Sequence, residues 1–215
     1  FVHIFHMYSE EQMKETYTLK EKIKQFLHIL FPIFLTQISL YMMNFFDVTM
    51  TGKYSAVDLA GVAIGSNIWV AISTGIGGIL TGLTPIVSQA FGAKDHERIS
   101  QTVEQAIYLA IVFAFSVFAL IYFLVPILLE NMPIEHDVQI VAYQYLQALC
   151  IGVVPIFIYH VLRSFIDALG RTNVTMMLTL CSLPLNILLN DIFIFGRWGI
   201  PAFGGVGAGY ATSIT

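Results

Sequence analysis

Long apolar runs separated by short polar stretches repeat along the chain. A helix crosses a hydrocarbon core with about 20 apolar residues. Five runs of that length and the start of a sixth lie near 26–50, 57–90, 103–129, 138–162, 174–195 and from 205 to the end. The period-two alternation that marks a membrane barrel is absent. The pattern predicts an all-α polytopic membrane protein, with residues 1–24 a cytoplasmic amino-terminal segment and 25–215 a transmembrane lobe. The run that opens at Gly205 stops at Thr215, too early to span, so the chain reads as part of something longer. Residues 1–12, "FVHIFHMYSEEQ", lack the basic flank and apolar run of a signal peptide. They read as upstream sequence in frame, with Met13 the expected start.

Composition agrees with the pattern. Hydrophobic residues make up 57% of the chain and charged residues only 11%, against roughly 25% charged in soluble domains. The mean hydropathy is +0.76. A basic patch for nucleic acid is absent, and the lipid bilayer is the partner this composition implies. The basic residues are unevenly placed. Lys14, Lys20, Lys22 and Lys24 precede the first run, Lys94 and Arg98 follow the second, and Arg163 and Arg171 follow the fourth. The alternate loops hold only Lys53 and Arg197. This asymmetry predicts a cytoplasmic amino terminus in a plasma membrane, with the first helix exiting outward near residue 51.

Against that background "YMMNFFDVTMTG" (41–52) carries a carboxylate, Asp47, into a membrane span. It lies about four residues, roughly 6 Å, inside the expected outer end of helix 1. Asn190 and Asp191, near the outer end of helix 5, fall at a similar depth, with Asn186 one turn deeper. At about 100° per residue, Gln37, Asn44, Asp47 and Thr51 form one polar seam on helix 1. Thr175, Thr179, Ser182, Asn186 and Asn190 form another on helix 5, and Asn67, Thr74, Thr81 and Ser88 a third on helix 2. Lipid satisfies neither amides nor carboxylates, so such faces are expected to turn inward around a polar cleft. Hydroxyls and amides on spans also serve simply to join helices. Asp47 differs, because no Lys or Arg falls within a predicted span; it must meet water, a proton or a cation. Asp191 lies well off the helix 5 seam and faces either another helix or the outer headgroup layer.

Pro32, Pro85, Pro126, Pro155 and Pro184 all fall in spans and permit bends. Gly61 and Gly65, Gly78 and Gly82, and Gly205 and Gly209 have the spacing of close helix contacts. Cys150 and Cys181 show no metal or disulfide pattern. No histidine pair has a ligand spacing, and zinc-peptidase, Gly-x-Gly-Asp and phosphate-loop motifs are missing, so the sequence predicts neither an enzyme nor an ATP-driven machine. No cofactor is expected.

"FPIFLTQISLYMMNFFDVTMTGKYSAVDLAGVAIGSNIW" (31–69) resembles the first two helices of the multidrug and toxic compound extrusion (MATE) transporters. "TPIVSQAFGAK" (84–94), "RSFIDALGRTNVTM" (163–176) and "LPLNILLNDIFIFGRWGIPAFGGVGAGYAT" (183–212) are similar to later blocks of that family, most closely its bacterial NorM-like branch. The resemblance implies the amino-terminal six-helix lobe, its sixth helix truncated, of a twelve-helix protein with two lobes around a cleft; a carboxy-terminal lobe of the same chain is then missing. It implies antiport of organic cations or amphipathic drugs against H⁺ or Na⁺. Asp47 falls on the family's acidic position in helix 1, Asn186 and Asn190 on the helix 5 polar pair, and Pro32 on the proline of the helix 1 bend. Some relatives carry an acid where this chain has Asn190, and here an acid comes one place later.

The residues expected to couple the ion are therefore Asp47, Asn186 and Asn190, with Gln37, Asn44, Tyr41, Asn67 and Asp191 as candidates to line the cleft. A sodium ion would sit at Asp47. Tyr41, Phe45, Phe46 and Trp69 offer π faces to a cationic drug, although aromatics in spans also just face lipid. Two rivals remain open at this point: a lipid-linked oligosaccharide flippase of related plan, and a passive channel or non-transporting membrane protein.

Overall fold

The computed structural model describes residues 18–215. The upstream stretch 1–12, the expected start at Met13 and Lys14 lie outside the described residues. Among the described residues the chain is built of helices and no strands. Five are long and apolar enough to cross a membrane: α1 (Leu19–Tyr54), α2 (Ala56–Gly92), α3 (His96–Glu130), α4 (His136–Ala168) and α5 (Thr172–Phe195). A shorter α6 covers Gly205–Ile214.

The helices outrun the apolar runs because polar turns extend them. α1 begins inside the segment 1–24, where the Thr18 hydroxyl accepts from the Glu21 amide and the Glu21 carboxylate accepts from the Thr18 amide. This capping box stabilises a helix start in water. α4 runs past residue 162 to Ala168, and its last turns carry the Arg163–Asp167 pair at 3.7 Å. Prolines shape the other departures. Pro85 lacks the N–H that would bond to the Thr81 carbonyl, so α2 breaks at Gly82 and restarts at Leu83 with Pro85 in its first turn, where proline is tolerated. In α3, Pro126 crowds the Tyr122 carbonyl, and residues Leu120–Leu124 widen into a π turn. α1 instead stays continuous through the buried Pro32.

α4 is the centre of the lobe. It packs on α2, α3 and α6, while α1 packs mainly on α5, and α5 on α6. The buried core of α4 includes Tyr145, Leu146, Leu149, Val153, Phe157 and Val161. Large apolar side chains such as Phe26, Phe115, Phe123 and Met177 point outward, as expected of helices solvated by lipid. Of the three glycine pairs, Gly61–Gly65 and Gly205–Gly209 lie hard against neighbouring elements. Gly78 faces open space instead, so that pair does not close a contact inside the lobe.

Candidate functional site

The α1–α5 contact sets the site. α5 buries Thr175, Thr179, Asn186 and Asn190 along one stripe, the seam visible in its sequence. The stripe α1 turns toward it is Pro32, Thr36, Ser39, Asp47 and Thr51. Several of its hydroxyls are satisfied within the helix: Thr36 donates to the Pro32 carbonyl at 2.8 Å, Ser39 to Leu35 at 2.9 Å and Thr51 to Asp47 at 2.7 Å. The Asp47 carboxylate has no such local partner and reaches across the interface.

Asp47 is 6% exposed. Its Oδ1 accepts from Asn190 Nδ2 at 2.5 Å. The same amide nitrogen donates to Asn186 Oδ1 at 3.1 Å, one turn along α5. Asp47 Oδ2 accepts from the Thr212 hydroxyl of α6 at 3.2 Å. The three expected coupling residues are thus in one cluster, and neither side chain that donates to Asp47 is basic. No counter-charge faces the carboxylate among these donors, so its ionised form costs several kcal/mol in apolar surroundings and a proton or a cation would relieve that cost. The cluster also leaves one acceptor over: Asn190 Oδ1 is buried and has no hydrogen-bond partner. Asp47, Asn186, Asn190 and Thr212 therefore converge as an oxygen-rich, net negative nest, the donor chemistry of a hard cation or a proton. No grouping of three or more His, Cys, Asp or Glu side chains that could hold a metal ion occurs among the described residues.

Other expectations fare differently. Gln37, Tyr41 and Asn44 are exposed. Gln37 and Asn44 sit roughly 60–80° around α1 from Asp47, and Tyr41 about 120°; the α5 contact covers a narrower stripe than that, so Gln37 and Asn44 make no bond to the cluster. Asn67, Thr74 and Thr81 on α2 are exposed as well, and the third seam does not join the other two. Its lower end ties helices together: Ser88 donates to the Ala168 carbonyl at 3.2 Å and the neighbouring Thr84 to Ser164 at 3.3 Å. Asp191 points away from the cluster and pairs with Arg197 of the following loop at 3.0 Å. The Arg197 side chain is 61% exposed, and ion pairs in such positions contribute little. Asp191→Asn is accordingly expected to lower the melting temperature of the purified protein by no more than about 2–4 °C. A larger drop would mean that the Asp191–Arg197 pair anchors the loop after α5.

Thr212 is the functional candidate absent from the sequence reading. α6 is small and mixed throughout, "GVGAGYATSI", so no seam singles out one hydroxyl.

Comparison with known proteins places this geometry. The MatE family model matches residues 32–192, and the chain belongs to the MatE family of integral membrane proteins. It is 52% identical over 203 residues to the probable multidrug resistance protein NorM of Bacillus cereus, covering 94% of this chain and 45% of that protein. The NorM of Bacillus subtilis is 51% identical over the same length and share. The chain thus spans less than half the length of the curated relatives it matches. Its fold is that of a solved MOP-superfamily transporter from Pyrococcus furiosus, with a TM-score of 0.77 and 22% identity over 86% of this chain and 40% of that one.

Proposed function

We propose that this chain is the amino-terminal lobe of a secondary active multidrug exporter, driven by H⁺ or Na⁺ taken up at Asp47. The observation that carries the reading is the buried Asp47 carboxylate, held by Asn190 and Thr212 without a basic partner among its donors, beside the unused Asn190 acceptor. A permanent lysine or arginine partner would silence such a carboxylate. Neutral amides leave it able to take and release a cation.

The cycle follows from that chemistry. With the cleft open outward, the ion reaches Asp47 and cancels its charge. The bonds that Asn190 and Thr212 donate to the carboxylate weaken, and attraction for a cationic drug falls. The drug leaves outside, and the neutralised cleft returns. Exchanging one cation for a singly charged drug moves no net charge, so the chemical gradient of the ion does the work: about a tenfold ion gradient, ~1.4 kcal/mol, sustains about a tenfold drug gradient. Orientation with the amino terminus in the cytoplasm rests on the loop charges, and a second lobe of the same chain would close the cleft.

The identity of the ion is tested with full-length protein in sealed vesicles. An imposed pH gradient or an imposed sodium gradient should each be tried separately against export of a fluorescent organic cation. Export driven by one of them, and stopped by the matching ionophore, is the expected result. Flux that ignores both gradients would make the protein a passive path and end the antiport reading.

A further inference from the structure

The Asp47 cluster depends on the height of α6; Phe203 and Gly204, just before it, donate to the Phe193 and Ile194 carbonyls of α5, and its first turn needs an acceptor as well. The helix starts at Gly205 with Gly204 as its cap, and that cap offers no side chain to the free N–H groups of the first turn. The missing acceptor comes from 147 positions away. Asp58, in the first turn of α2, accepts the Gly205 N–H on Oδ1 at 2.6 Å. A carboxylate at a helix start also meets the positive end of the helix dipole. The approach is close: Gly204 has a φ of +57°, and a Cβ there would collide with the Asp58 carboxylate and the Tyr54 ring. Tyr54 in turn lies 6.4 Å from the Phe195 ring, centre to centre, so the ends of α1, α2, α5 and α6 are gathered at one point.

Asp58 and Asp47 bracket the α1–α2 turn. Gly205 and Thr212 are two turns apart on α6, about 10 Å. The contacts therefore close a ring: Asp47, the α1–α2 turn, Asp58, Gly205, α6, Thr212 and back to Asp47. We propose that Asp58 is a positioning residue for the coupling site, capping α6 from α2 so that Thr212 is held at the Asp47 carboxylate. It never touches the ion. It works as a hydrogen-bond acceptor, so its geometry matters and its charge is secondary. This inference rests on the reading of Asp47 as the coupling acid.

The test uses full-length protein and four variants: Asp58→Ala, Asp58→Asn, Thr212→Ala and the double Asp58→Ala/Thr212→Ala. Two readouts are taken. Hydrogen exchange of the amides over residues 205–212 reports the cap directly; Asp58→Ala should speed it by about fivefold or more, the loss expected of a removed helix cap, whereas Asp58→Asn, which keeps an acceptor, should stay near wild type. The concentration of coupling ion at half-maximal efflux reports the site. Asp58→Ala and Thr212→Ala should displace it in the same direction, with the double variant no further than Thr212→Ala alone, and Asp58→Asn should restore it. Independent, additive shifts, an Asp58→Asn variant as impaired as Asp58→Ala, or unchanged exchange would overturn the proposal. Should Asp58→Ala fail to reach the membrane, Asp58→Ser replaces it, its hydroxyl ending about one bond short of Gly205. Ion-driven efflux that survives Asp47→Asn would remove the coupling reading itself, and the exchange data would still decide whether Asp58 holds α6.

Discussion

Under the antiport reading, Asp47→Asn in the full-length protein is expected to remove ion-driven export of a fluorescent organic cation and to leave the protein in the membrane. Both halves of that result follow from the bonds. Asparagine is close to isosteric with aspartate, and its carbonyl oxygen can accept from Asn190 Nδ2 as Asp47 Oδ1 does at 2.5 Å. Its amide nitrogen would face Thr212, whose hydroxyl can rotate from donor to acceptor. The α1–α5 contact therefore keeps its hydrogen bonds, and the lobe loses a net charge that was costly to bury. Folding is expected to hold or improve. On the proposed reading, what disappears is the one group in the cluster that would bind a proton or sodium ion differently in the two states of the cycle. A ligand shifts a conformational equilibrium only by its differential affinity for the two states, and with Asp47 gone that difference goes too. Efflux from energised vesicles should fall to the level of unenergised ones, at an unchanged amount of protein in the membrane fraction. Wild-type efflux from the variant would mean that coupling lies in the other lobe.

The sequence made the broad plan readable because membrane burial leaves strong signals. Runs of apolar residues locate the spans, and the period of the α5 seam survives in the structure almost residue for residue, from Thr175 to Asn190. Asp47, Asn186 and Asn190 meet because an acid and two amides at one depth have few other places to go. The failures share a cause as well. A helical projection gives an angle but not the width of the neighbouring contact, so it groups Gln37 and Asn44 with Asp47 although α5 covers only the stripe of Thr36, Ser39, Asp47 and Thr51. Asp191 is one residue from Asn190 and about 100° away; that rotation carries it to Arg197. Thr212 and Asp58 were illegible for another reason. Each matters through a partner more than 100 positions distant, and a hydroxyl in a small-residue helix or an acid in a helix first turn is ordinary in itself.

Gly207→Ala should be as damaging as it looks conservative. In a helix interior, alanine is normally worth about 1 kcal/mol over glycine, so local propensity predicts a gain. Packing predicts the reverse and wins. A Cβ on Gly207 would lie 2.5 Å from the Phe193 carbonyl carbon, 2.6 Å from its oxygen and 2.8 Å from the Ile194 nitrogen. These are backbone atoms of α5, which cannot rotate aside like a flexible side chain. Restoring ordinary contact requires α6 to withdraw by roughly 1 Å, and overpacking of this kind costs about 1–3 kcal/mol. Thr212 lies five residues further along the same helix. Its 3.2 Å bond to Asp47 has little slack, and a shift of that size takes it beyond hydrogen-bond range. A bond to a charged group is worth ~1.5–3 kcal/mol, so the site loses as much as the packing does. The purified full-length variant should melt several degrees below wild type and show about tenfold weaker efflux, with Gly207→Leu worse on both measures. A Gly207→Ala protein that melts and transports like wild type would mean that α6 can shift on α5 without loss, and that Thr212 is not held against the acid by their contact.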